Sequence, residues 1–121
     1  MEEHANARRF RQAMEGSGDA TGFQDLLADD VVWHEIGGNE PIHAKQAVMD
    51  SLAGWIGDVE GQVHDVLAND DHVVAMVEAV ARRGDEELRY RTVEVMDMHG
   101  GKVVERWSFT EDPAAVTRFF S

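Results

Sequence analysis

Cysteine is absent from this 121-residue chain, which excludes disulfides, thiolate nucleophiles, cysteine-ligated zinc and iron–sulfur clusters together. Carboxylate, histidine and hydroxyl chemistry remain. Basic side chains are scarce: 24 acidic residues face 11 basic ones, for a formal charge of −13. That balance disfavours a nucleic-acid partner and an anionic membrane surface, both of which select a basic patch. The acidic residues are spread along the chain and read as a solvated surface. No apolar run approaches a membrane span, and MEEHANARRF lacks the apolar core of a signal peptide, so the expectation is a soluble, cytoplasmic protein. Ser51 and Ser108 lie in no glycine-flanked nucleophile elbow. Gly37 and Gly38 read as a turn, with no phosphate-cradling loop elsewhere. His34, His43, His64 and His72 lack the helical spacing of a zinc-binding pair, so neither a metal nor another cofactor is expected.

What is present fits a single domain spanning residues 1–121, long enough for one core and too short for two. Ala7, Phe10, Ala13 and Met14 recur at helical spacing between Glu3 and Gly16. A capping-box-like Thr21 to Gln24 opens a second helix running to about Ala28, and Asp29 and Asp30 read as the turn into a strand over Val31 to Ile36. Ala44, Val48, Leu52 and Trp55 mark a third helix ended by Gly57. From Gln62 the period changes. Strands are expected over Val63 to Ala68, Val73 to Ala81, Leu88 to Met98 and Val103 to Phe109, joined by short turns as an antiparallel meander. Pro113 to Phe120 reads as a last helix with Asp112 as its cap.

Three segments carry a family resemblance: LLADDVVWHE, HDVLANDDHVVAMVEAVARRGDE and VMDMHGGKVVERWSFTEDPAAV. In their order and spacing the chain resembles SnoaL-like, ketosteroid isomerase-like members of the nuclear transport factor 2-like superfamily. The resemblance implies an α+β fold, a cystatin-like α+β barrel: a cone-shaped, curved, mainly antiparallel sheet with three N-terminal and central helices packed on its concave face. It also implies a cavity for a small hydrophobic molecule and a homodimer formed through the outer sheet face. One chemistry is not implied, because the fold hosts isomerases, hydrolases, cyclases and noncatalytic binders.

Carried over residue by residue, the resemblance places Glu35 at the general-base position after the ADD turn. It places Glu94, counted back from Gly101 with one deletion, at the position of a second carboxylic acid. Phe10 stands where a tyrosine donor is found in similar isomerases, and Phe109 where the catalytic Asp stands in limonene epoxide hydrolase. Strand alternation adds the cavity lining: Trp33 shares a face with Glu35, Thr92 and Met96 with Glu94, and Trp107 with Phe109, while Ala75, Val77 and Ala79 face inward. His34 takes the opposite face unless a bulge intervenes. Phe10 and Met14 of the first helix and Trp55 of the third complete the expected wall. A carboxylate enclosed by Trp33, Trp55, Trp107 and Phe109 loses hydration, which favours its neutral form and suits proton transfer.

Two readings follow. In the first, the protein is a cofactor-independent isomerase or cyclase in which Glu35 takes a proton and Glu94 or His34 steadies the enolate. In the second, it is a noncatalytic small-molecule-binding or dimeric assembly module.

Overall fold

A computed structural model describes residues 3–15, 21–38, 40–54 and 56–121. Helix α1 covers Ala5–Met14. His4 begins it in an extended conformation, its Nδ1 accepting from the Asn6 amide at 3.1 Å, so the helix starts later than its periodicity suggests. Asn6, Ala7, Phe10 and Ala13 form its buried face. Helix α2, Thr21–Leu26, passes directly into strand β1, Leu27–Trp33.

That junction corrects two expectations. Asp29 and Asp30 are not a turn; they lie inside β1, exposed, where its parallel pairing with β6 (Lys102–Thr110) shifts register between Leu27 and Val32. The strand also ends at Trp33, short of Ile36. A two-residue strand β2, Ile42–His43, pairs with Val32 and Trp33 and is too short to leave an alternation signal. Helix α3 covers Lys45–Ala53, and a single 3₁₀ turn at Ile56–Asp58 leads into the meander. Trp55 lies outside the described residues.

Strands β3 (Val59–Ala68), β4 (His72–Arg83), β5 (Glu86–His99) and β6 are antiparallel neighbours in sequence order. Turn chemistry fixes two of the hairpins. The Asn69 side chain accepts from the Asp71 and His72 amides, both at 2.8 Å, and closes the β3–β4 turn. Gly100 and Gly101, with φ of 57° and 79°, supply the two consecutive left-handed residues that a tight hairpin between β5 and β6 requires. The described sheet has six strands in the order β2-β1-β6-β5-β4-β3. Bulges between Val63 and Asp65 and between Asp97 and Met98 break its register. The wall stays open, because β2 and β3 are edges and do not pair with each other.

The core lies between the concave sheet face and α1, α2 and α3, where Leu27, Val31, Val48, Leu52, Val73 and Met96 are buried. Helix α4, Pro113–Phe120, is capped as expected: the Asp112 carboxylate accepts from the Ala115 amide at 3.1 Å. No described helix is long and apolar enough to cross a membrane.

Two leucines separate burial from composition. Leu27 is 1% exposed and Leu67 is 65% exposed. Leu27→Ala is expected to lower unfolding free energy by about 2–5 kcal/mol, and Leu67→Ala to change it by no more than about 0.5 kcal/mol. Urea denaturation of the two variants beside the parent checks the difference.

Candidate functional site

A cavity of about 340 Å³ lies between α1, α2, α3 and the concave sheet face. Along α1, Phe10 and Met14 project into it at helical spacing. Phe23 and Leu52 continue this wall from α2 and α3, and Trp33 closes it at the end of β1, its ring edge-on to Phe23 at 6.3 Å. Strand β4 contributes Val77 and Ala79, whose small side chains leave the space open. Strand β5 contributes Tyr90, Thr92, Glu94 and Met96 at a spacing of two.

Glu94 and Arg106 form the floor. Arg106 Nε and Nη2 donate to Glu94 Oε1 at 2.9 and 2.6 Å, and the Ser108 hydroxyl donates to Oε2. Both charged side chains are about nine-tenths buried. Arg106 Nη1 reaches the His34 carbonyl at 3.0 Å, and the guanidinium lies over the Trp33 ring, 4.1 Å from its centroid. A buried carboxylate held this way is compensated by charge and by three hydrogen bonds. Among the described residues no buried side-chain polar atom is left without a partner. Nearer the mouth, burial pushes the Tyr90 phenol up from its ordinary value of 10.0; Glu94 adds to the rise and Arg106 opposes it. The phenol is therefore a neutral donor at physiological pH.

The cavity gathers Phe10, Met14, Trp33, Ala79, Glu94 and Met96 from the residues singled out in the sequence. It does not gather Glu35, His34, Trp107 or Phe109, which line a separate surface cleft with Gly37 and Pro113. Glu35 misses the cavity because β1 ends at Trp33. Beyond that point alternation no longer applies, the chain turns through Ile36 and Gly37, and the Glu35 carboxylate accepts from Ser51 Oγ at 2.6 Å. His34 stacks face to face on Trp107, with centroids 5.2 Å apart and planes 6° from parallel, and is hydrogen-bonded to Glu105 at 2.7 Å. Only its backbone carbonyl serves the cavity floor.

Trp107 and Phe109 face away because the register shift beside Met98 and Val103 changes the phase of β6. Val103 faces the core, then Arg106 and Ser108 do, and Phe109 is left 57% exposed. Arg106, Ser108 and the free hydroxyl of Tyr90 are the polar groups that sequence reasoning missed. A signal for Arg106 was available: an inward Glu94 requires a buried cation, and Arg106 stands on the next strand.

The comparisons with known proteins agree with this architecture. A protein with a cystatin-like fold from Xanthomonas campestris superimposes with a TM-score of 0.84 at 18% identity, over 98% of this chain and 99% of that one. A proposed SnoaL-like polyketide cyclase from Jannaschia sp. CCS1 gives 0.73 at 16% identity, over 97% and 95% of the two chains. A proposed ketosteroid isomerase from Kribbella flavida gives 0.73 at 21% identity, over 87% and 76%. At these identities the likeness is one of fold. A search of the curated proteins finds no match. The SnoaL-like domain model matches residues 7–106, most of the length, including Glu94 and Arg106 of the cavity floor. The chain thus belongs to the SnoaL-like domain family.

Proposed function

We propose that this protein binds a compact, mainly hydrophobic small molecule, its apolar body against Phe10, Met14, Phe23 and Leu52 and its polar end at the Glu94–Arg106 pair. The supporting observation is the cavity's composition: apolar helical walls descend to one buried ion pair. A volume of about 340 Å³ suits a ligand of one or two rings better than a four-ring one.

A second reading, proton transfer of the isomerase or cyclase kind, is favoured by the hydrogen-bond inventory of the floor. A carboxylate offers about four acceptor positions. Three are taken, which leaves one on Oε2. Arginine has about five N–H donors, and three are taken here. Glu94 is then the base that accepts a proton from carbon beside a ligand carbonyl and returns it to the same or a conjugated carbon. The free Arg106 donors hold the enolate oxygen meanwhile. Glu35 takes no part, and no cofactor is needed.

The same reading includes a homodimer through the outer sheet face. Met76, Val93 and Phe109 are paired side by side across β4, β5 and β6, and all three are exposed. The Arg91–Glu111 and His64–Glu78 pairs border this row, so each carboxylate there has a basic partner. On a chain of charge −13, such a patch is where two copies meet with least repulsion.

Three experiments test these statements. Tyr90 is the only tyrosine, so absorbance at 295 nm follows it alone during a pH titration. Its midpoint is expected above 10.0 and higher still with 2-tetralone bound. Since the native phenol keeps its proton beyond the point where the unfolded one loses it, the linked stability is complete below about pH 10 and is lost as pH rises through the native value. A midpoint indifferent to 2-tetralone, with no change in tryptophan fluorescence, would count against binding in the cavity.

Deuterium incorporation beside the 2-tetralone carbonyl, followed by NMR, tests catalysis. Exchange above background that falls to background in Glu94→Gln and persists in Glu35→Gln is the expected pattern. Circular dichroism must accompany it, because breaking a buried pair costs about 3–5 kcal/mol. Saturable binding without any accelerated exchange leaves the noncatalytic reading. For assembly, sedimentation is expected to show a dimer at micromolar concentration and a monomer for Val93→Glu; a monomeric parent would remove the interface.

A further inference from the structure

We propose that Tyr90 and Thr92 form, with Glu94, a polar edge that selects ligands oxygenated along one side, so that the cavity prefers a hydroxylated ring compound over its hydrocarbon parent. This rests on the reading that the cavity binds a small molecule. The three residues sit at positions i, i+2 and i+4 of β5 and all line the cavity. Their backbone positions are therefore spaced by about 7 Å along the wall.

The state of the hydroxyls carries the argument. Thr92 is only 8% exposed and lines the cavity, and neither its Oγ1 nor the Tyr90 hydroxyl has a hydrogen-bond partner among the described residues. Cross-strand neighbours do not supply one. Thr92 stands opposite Val77 on β4 and Thr110 on β6, and the Thr110 hydroxyl donates instead to the Arg91 carbonyl at 2.7 Å. Tyr90 stands opposite Ala79. The remaining buried polar side chains at the floor, Glu94, Arg106 and Ser108, are engaged with one another.

In the open cavity both hydroxyls stay accessible to water, since no enclosed polar atom among the described residues lacks a partner; a ligand that covers them without a hydrogen bond makes them costly. A bound hydrocarbon expels water and leaves both unpaired. A bound molecule with oxygens on the edge facing β5 restores both bonds, while its other faces meet Phe10, Phe23 and Leu52. Tyr90 donates, because its phenol stays protonated. Thr92 donates or accepts. The preferred occupant is thus amphipathic across its width, with two oxygen functions along one edge.

The test compares naphthalene, 2-naphthol and 2,7-dihydroxynaphthalene, whose two hydroxyls share one edge, by calorimetry or ligand-observed NMR on the intact protein. Hydrophobic transfer alone ranks naphthalene tightest. The polar edge reverses that order, each matched hydroxyl tightening binding roughly three- to tenfold. Tyr90→Phe and Thr92→Val are nearly isosteric, and each is expected to weaken 2,7-dihydroxynaphthalene by the same roughly three- to tenfold factor and narrow its advantage. If naphthalene binds tightest, or both variants keep the parent's full advantage for the dihydroxy compound, the polar edge is overturned while the cavity remains a hydrophobic binding site. If none of the three compounds binds, the binding reading fails, and the selectivity falls with it.

Discussion

Removing water from one carboxylate and one guanidinium at once is the constraint on which the site's geometry depends. Burying Glu94 alone, or Arg106 alone, leaves an uncompensated charge at a cost of several kcal/mol, so both must face inward together. The pair then settles the phase of two strands. Glu94 fixes Thr92 and Met96 on the concave face of β5, and Arg106 fixes Ser108 beside it on β6. Trp107 and Phe109 are forced outward by the same step. Through its His34 hydrogen bond and its contact with the Trp33 ring, Arg106 also ties the end of β1 to the cavity floor. One side chain thus connects β1, β5 and β6.

This dependence explains which parts of the fold were legible. The meander strands were readable because their information is local: alternation over ten or more residues, and turn chemistry such as Asn69 and Gly100–Gly101. The capped last helix was readable for the same reason. Strand β1 was misread because LADD looks like a helix end and turn, whereas Leu27 is held in the sheet by parallel pairing to Val103, a partner 76 positions away. A two-residue β2 contains no period at all.

The inward position of Glu94 was legible by counting from the glycine hairpin, a fixed landmark, and those of Phe10, Met14, Ala79 and Met96 by periodicity within unbroken elements. Glu35 lies outside the cavity because its strand ends at Trp33, and alternation does not extend past that residue. Trp107 and Phe109 failed because VVERWSF carries an apolar pattern whose phase is reset by the shift at Val103, and nothing local marks that shift. The more hydrophobic set of residues was taken as inward, but the buried pair outweighs it. Facing Trp107 and Phe109 outward forgoes burial of about 1.5–3 kcal/mol for each large side chain at most, whereas turning Arg106 out strands Glu94.

The outward turn of Trp107 and Phe109 and the polarity of the cavity are two results of a single register. Had β6 kept its phase, the cavity floor would be aromatic and the outer face would carry Arg106 and Ser108 in place of an exposed apolar row. The shift exchanges them, so the residues that make the floor polar and those that make the outer face apolar cannot be altered independently by strand pairing. Related cyclase-like and isomerase-like folds share the curved sheet and its helices, and this chain's own chemistry resides in which side chains that register turns inward. The floor is held by charge-assisted bonds among its own side chains; the edge above it, at Tyr90 and Thr92, carries hydroxyls with no protein partner among the described residues. A substitution at the floor therefore acts first through stability, and one at the edge acts first through recognition.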